Sequence, residues 1–315
     1  MFQILKAEKT IDFMRWSKFA FVFSLLMIGA SIFTLSTKWL NWGLDFTGGT
    51  LIEVGFEQPA NLEEIRSALE VKGFGDATVQ NFGSARDVMV RLRPREDMAG
   101  ETLGNQILSA IKEGTGKSVE MRRIEFVGPN VGDELTEAGG LAILVSLICI
   151  LIYVSMRFEW RLAAGAVMAL AHDVIITLGV FSLMQIEVDL TIVAALLTVV
   201  GYSLNDTIVV FDRIRENFRK MRKGEPAEIM NSSITQTLSR TLITSGTTLF
   251  VVIALFVQGG AMIHGFATAL LLGITVGTYS SIYVASALAL KLGIQKEHLM
   301  PPQVEKEGAE FEEMP

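Results

Sequence analysis

Residues 190–211 read LTIVAALLTVVGYSLNDTIVVF, an apolar run of membrane-spanning length that carries one acid, Asp206, next to Asn205. A bilayer core about 30 Å thick takes about 20 apolar residues to cross as a helix. An ionised side chain at its centre costs about 2.5–3.5 kcal/mol on insertion scales, so a chain that keeps one is using it for ions, protons or a partner. Transport is the first hypothesis.

Outward from that run, apolar stretches of similar length fall near 19–37, 138–156, 162–184, 241–258 and 264–290. Half of the 315 residues are hydrophobic, and a soluble core could not hide that much apolar surface. Six crossings would put both termini on one side. Cationic short loops stay in the cytoplasm. Lys6, Lys9, Arg15 and Lys18 precede the first span, Arg157 and Arg161 join the second to the third, and Arg213, Arg215, Arg219, Lys220, Arg222 and Lys223 follow the fourth. Lys291 and Lys296 follow the sixth, whereas the loops 185–189 and 258–264 have no Lys or Arg. Both ends are therefore predicted to be cytoplasmic, with residues 1–18, the loop 212–240 and the acidic segment 291–315 on that side and the polar segment 38–137 outside.

The first run ends Ser36-Thr37-Lys38-Trp39-Leu40 without a small-residue cleavage site, so it reads as an uncleaved anchor. Cys149 is the single cysteine, which excludes an intrachain disulfide. Net charge is −7, the tail 305–313 is predicted to be disordered, and nothing points to nucleic acid.

Segment 38–137 alternates as a strand over 50–56, then Asn61 caps a helix carrying Leu62, Ile65 and Leu69. Strands over 77–82 and 87–92 follow, separated by Gly83-Ser84. A helix over about 99–112 and a last strand over 118–126 complete a β-α-β-β-α-β order, the ferredoxin-like split arrangement. The segment has no His or Cys, so a zinc site and the usual general base are both missing. Binding a partner on a free sheet face or edge is the expected role.

Inside the membrane, Asp206 sits one turn after Tyr202, with Ser203 and Asn205 beside it; this polar side must face protein or water. Asp212 lies at the helix end beside Arg213 and Arg215, where an interfacial ion pair is the ordinary reading. His172-Asp173 sits midway along the third span; adjacent positions diverge by about 100°, so the two do not make a metal face, and a relay or interhelical hydrogen bond is expected. Arg240 opens the fifth span and either snorkels or approaches Asp206. Thr244, Ser245, Thr247 and Thr248 add hydroxyls, whose ordinary use is interhelical hydrogen bonding. Gly48-Gly49, in the connector that begins at Asp45, suggests positive φ where the chain leaves the first span, and Gly128-Pro129 is a matching hinge-like exit.

The motifs Leu44-Asp45-Phe46-Thr47-Gly48-Gly49-Thr50, Arg157-Phe158-Glu159-Trp160-Arg161, Ala171-His172-Asp173, 201–210 (GYSLNDTIVV) and Asp212-Arg213-Ile214-Arg215-Glu216-Asn217 occur in order along the chain. In this the sequence resembles the SecD/SecF family of bacterial protein-export membrane proteins, itself related to the resistance-nodulation-division exporters. The resemblance covers nearly the whole chain and matches its SecF branch. It implies an inner-membrane subunit that pairs with SecD, engages the SecYEG channel and YajC, contacts membrane lipid and the translocating preprotein, and draws on the proton-motive force. It implies no enzyme activity, metal or cofactor, protons being the coupling ion. In the family the positions matching Asp206 and Arg240 are tied to proton passage. A small-molecule or lipid exporter of the same superfamily is the alternative, and an intramembrane aspartyl protease lacks its Gly-x-Gly-Asp signature here.

Overall fold

The computed structural model describes residues 10–94, 100–221 and 224–299. After a 3₁₀ turn at Met14–Trp16 come α1 (Ser17–Lys38), β1 (Asn41–Trp42), α2 (Leu44–Thr47), β2 (Gly49–Phe56), α3 (Leu62–Val71), β3 (Thr78–Phe82), β4 (Ser84–Leu92), α4 (Gly100–Thr115) and β5 (Val119–Val127). Then follow α5 (Pro129–Arg157), α6 (Trp160–Met184), β6 (Glu187–Val188), α7 (Leu190–Lys220), α8 (Pro226–Gln258) and α9 (Gly260–Ser280). The last span continues through a π turn at Ser281–Ala285 into α10 (Ser286–Lys291), and α11 is Lys296–Leu299. Among the described residues, six helices are long and apolar enough to cross a membrane. The chain is a multi-pass, mostly helical protein with a small sheet region.

Helix ends follow local chemistry. The Asp189 carboxylate accepts from the Ile192 N–H at 2.9 Å and starts α7. Glu225 and Glu228 form a reciprocal cap ahead of α8.

Where the sequence suggests a loop over 212–240, the structure has helix over 212–220 and 226–240. α7 runs about 46 Å at 1.5 Å per residue, past any bilayer core, because Phe211, Ile214 and Phe218 bury against Ile229, Met230 and Ile234 of α8. An apolar-run criterion stops at the first charge; side-chain packing does not. In the same way α5 begins at Pro129 rather than at 138, so Asp133, Glu134 and Glu137 are helical. Part of 291–315 is packed too: Leu299 is buried and its carbonyl accepts from Arg219 Nε at 3.0 Å. Lys6, Lys9, Ala99, Arg222, Lys223 and the acidic residues 305–313 lie outside the described residues.

The domain between α1 and α5 has the expected element order. Its sheet is antiparallel throughout, in the order β3-β4-β2-β5. Alternate residues of β2, Ile52, Val54 and Phe56, bury against Ile65 and Leu69 of α3 and Ile107 and Ile111 of α4. The opposite face is not left open along its length, because Leu44 of α2 packs on Leu51 and Met89 there.

The domain is tied to one end of the bundle. β1 pairs with β6 in parallel, Asn41 with Glu187 and Trp42 with Val188, and the Gly43 N–H donates to the Val188 carbonyl at 2.8 Å. Gly48 and Gly49 have the positive φ expected, 63° and 122°. The connector is nevertheless held rather than free: a Cβ on Gly132 of α5 would lie 3.1 Å from the Gly48 nitrogen. A Cβ on Gly49 would run into the Leu92 carbonyl. Gly49→Ala is therefore expected to cost about 1–3 kcal/mol and to speed amide exchange in β2 and β4, whereas Gly140→Ala, with open space at its Cβ, leaves exchange unchanged.

Candidate functional site: a polar seam inside the bundle

Hydroxyl and amide side chains run along the contact between α7 and α8. At the end away from the domain, Asn217 Nδ2 donates to Ser233 Oγ at 2.9 Å and to Gln236 Oε1 at 3.1 Å. Nearer the domain, the Tyr202 hydroxyl donates to the Thr244 carbonyl at 2.8 Å and meets Thr248 Oγ1 at 2.7 Å. Asp206 lies between them, 2% exposed. Its Oδ2 accepts from Ser245 Oγ at 3.1 Å, and that oxygen accepts from Thr278 Oγ1 of α9 at 2.9 Å. The donors thus point in sequence from α9 through α8 to the acid.

Arg240 is close enough for its charge to act on Asp206, yet the two form no ion pair. The guanidinium side chain is exposed on α8, so the approach expected from sequence is electrostatic rather than a contact. Asn205 is exposed as well, and Thr247 bonds only its own helix, at the Ile243 and Thr244 carbonyls. Asp212 has its ion pair, with a partner other than its sequence neighbours: Arg157 of α5 bonds both carboxylate oxygens at 2.6 and 2.8 Å.

A second buried cluster sits on the far side of α7. Asp173 Oδ1 is 2.8 Å from His172 Nδ1, while Oδ2 accepts from Ser203 of α7 at 2.5 Å and from Ser280 of α9 at 2.8 Å. Ser203 and Asp206 are one turn apart, so a single helix bears on both acids. Ser280, Thr278 and Asn217 escape a sequence reading because hydroxyls and amides blend into helices at little cost. The run Thr278-Tyr279-Ser280-Ser281 in an otherwise apolar span is the available signal.

Asp45, expected only as a connector, has a defined role. Its carboxylate accepts from the Leu190 N–H at 2.9 Å, so the connector helps cap the helix that carries Asp206. Next to it, Arg91 of β4 donates to Glu187 Oε1 and to the Trp42 carbonyl, each at 2.9 Å, and to the Thr47 hydroxyl. Burial pushes the Glu187 carboxyl up, Arg91 opposes that, and Asp189 and Asp45 add to it. This domain-to-bundle contact has no sequence signature, since its members are 96 residues apart.

Two family models match: "Protein export membrane protein SecD/SecF, C-terminal" over residues 107–295 and "SecD/SecF GG Motif" over 33–60. The chain is 91% identical to the protein translocase subunit SecF of Vibrio alginolyticus over the full length of both. The chain belongs to the SecF family. Against SecF of Escherichia coli O157:H7 the identity is 56%, covering 98% of this chain and 96% of that one. The crystal structure of SecDF, described as a translocon-associated membrane protein, from Thermus thermophilus superposes with a TM-score of 0.83 at 38% identity, covering 92% of this chain. A SecDF structure in a super-membrane-facing form gives a TM-score of 0.68 over 93%. The chain spans 39% of each SecDF polypeptide. As a SecF family member it is a transport component, a subunit of the protein translocase.

Arg91→Ala strands Glu187 and the Trp42 carbonyl. It should cost about 1–3 kcal/mol, seen as faster amide exchange in β1 and β6. A carboxyl raised in the fold stabilises at low pH and loses that contribution as pH rises through its folded pKa. Thermal stability should therefore fall with rising pH just above the ordinary Glu value of about 4.3, and Glu187→Gln should remove that part of the profile.

Proposed function

We propose that this SecF subunit joins SecD in the bacterial inner membrane, and that the pair uses the proton-motive force to promote export of preproteins through SecYEG, with YajC as a further partner. The burial of Asp206 in a hydroxyl-lined seam carries the reading. A carboxyl whose one hydrogen bond among the described residues is to Ser245, with Arg240 acting from a distance, can exchange a proton without breaking an ion pair. Each proton moving inward contributes about 2.3 kcal/mol per 100 mV of membrane potential, before any pH difference.

Protonation reverses one hydrogen bond, because a neutral carboxyl donates where a carboxylate only accepts. Thr241 Oγ1, buried without a partner among the described residues and one turn before Ser245 on α8, is an acceptor within the same seam. Small rearrangements of this kind bias packed helices between discrete arrangements. α7 would carry the change to its capped end, where Asp45, β1–β6 and Arg91 hold the domain. That domain, of ferredoxin-like order, is periplasmic in this reading: it shares one end of the bundle with the loops near 185–189 and 258–264, which have no Lys or Arg.

The SecD half would cover the outward face of α7. Thr191, Ala194, Thr198, Gly201 and Asn205 recur there at helical spacing, all exposed. An amide such as Asn205 at that depth is expensive against lipid and cheap against a second helix bundle. Arg240 opens towards the same partner. The long SecDF polypeptides of the matching structures support this arrangement.

In membrane vesicles, Asp206→Asn should abolish the proton-dependent part of preprotein export while SecD still co-purifies; unimpaired export would refute the assignment. Gly201→Phe, entering open space in this chain, should leave the melting temperature of the isolated subunit unchanged and reduce SecD recovery several-fold.

A further inference from the structure

The seam around Asp206 leaves one buried ionisable pair unused. His172 and Asp173 are 2% and 1% exposed, in the middle of α6 between α1, α7 and α9. Two hydroxyls donate to the Asp173 carboxylate, Ser203 Oγ and Ser280 Oγ, and His172 Nδ1 lies 2.8 Å from its other oxygen. The other imidazole nitrogen, His172 Nε2, is buried with no hydrogen-bond partner among the described residues. A buried nitrogen left unpaired costs about 1–3 kcal/mol, an expense that a purely structural histidine avoids by turning or being replaced.

Charge counting gives the orphan nitrogen a use. With neutral imidazole donating from Nδ1 to ionised Asp173, the pair carries −1 and Nε2 presents a lone pair. One added proton makes the pair neutral, and the lone pair on Nε2 is where imidazole takes it. We infer that His172, with Asp173 as its counter-ion, is a second proton-binding site of the bundle, coupled to Asp206 through Ser203 on α7. The inference rests on the seam reading only for the coupling; proton binding itself stands on the geometry of the pair.

The surroundings are consistent with a titration confined to these two groups. α9 presents Tyr279, whose ring lies 6.2 Å from the imidazole and whose hydroxyl donates to the Ala20 carbonyl and meets Ser24 on α1. Tyr283 of the π turn stacks on Tyr279. α7 presents Ser203, with Asp206 a turn further on. The cations of the neighbouring helices are engaged elsewhere or terminal: Lys291 of α10 over Phe21, Arg157 of α5 on Asp212, and Lys18 and Lys38 near the ends of α1. A charged imidazole therefore acts on Tyr279 and on the α1 contact that Tyr279 makes.

The chain has three histidines, and the other two, His264 and His298, are exposed. Nitrogen-15 NMR of the full chain assembled with SecD in lipid nanodiscs can follow His172 by elimination in a His264→Gln, His298→Gln background. Across a scan of about pH 5 to 8 the spectra are expected to show both neutral and doubly protonated imidazole, in proportions that change when Asp206 is replaced by Asn. A single protonation state across that range overturns the proton site, whatever the outcome of export assays. Protonation in proportions that Asp206→Asn leaves unchanged overturns the coupling. Asp173→Asn, which keeps the shape and removes the counter-ion, should reduce the doubly protonated signal in the same scan; an unchanged signal would also contradict the assignment.

Discussion

A carboxyl within a bilayer must find its compensation from protein, and the packing of α6, α7, α8 and α9 is organised by that need. Ser203, Ser245, Thr278 and Ser280 can reach the acids only because the helices approach closely. Gly273 and Gly277 of α9 lie against Val199 and Ser203 of α7, and a Cβ on Gly277 would come 3.0 Å from the Ser203 side chain and 3.4 Å from Asp173 Oδ2. A Cβ on Gly273 would run into Val199. Small residues at helix contacts are how membrane bundles gain packing and interhelical hydrogen bonds together. Here they also set the distance between titratable groups and their donors.

That constraint extends to the domain end. α7 is the helix common to both acids, and its first turn is capped by Asp189 from its own loop and by Asp45 from the connector. The β1–β6 pair and the Arg91–Glu187 contact fasten the domain to the same place. A displacement of α7 has a short path to the sheet because the connector is clamped. Flexible glycine linkers would have absorbed it.

Much of this was legible in the residues. The apolar runs and the solitary Asp206 indicate a polytopic bundle, because hydropathy and charge depth are one-dimensional properties. The strand and helix order between α1 and α5 is legible for a similar reason: β2 alternates and α3 and α4 keep helical spacing. Helix ends were harder. The stretch 212–240 looks like a charged loop, yet Ile214, Phe218, Ile229 and Ile234 keep 212–220 and 226–240 helical through contacts between two segments that composition treats as separate. The partners of individual side chains were hardest. Arg157 for Asp212, Asp45 for the α7 terminus and Thr278 for Ser245 depend on tertiary register, and hydroxyls leave almost no hydropathy trace.

The central claim is that Asp206 changes protonation in place, inside the assembled bundle. Infrared difference spectroscopy of the subunit with SecD in lipid, across a step in pH, observes this directly through the carbonyl stretch of a neutral carboxyl. The account predicts a band that shifts on selective ¹³C labelling of aspartate and is missing from the Asp206→Asn difference spectrum. A spectrum without such a band, or one that keeps it unchanged in the variant, would contradict it.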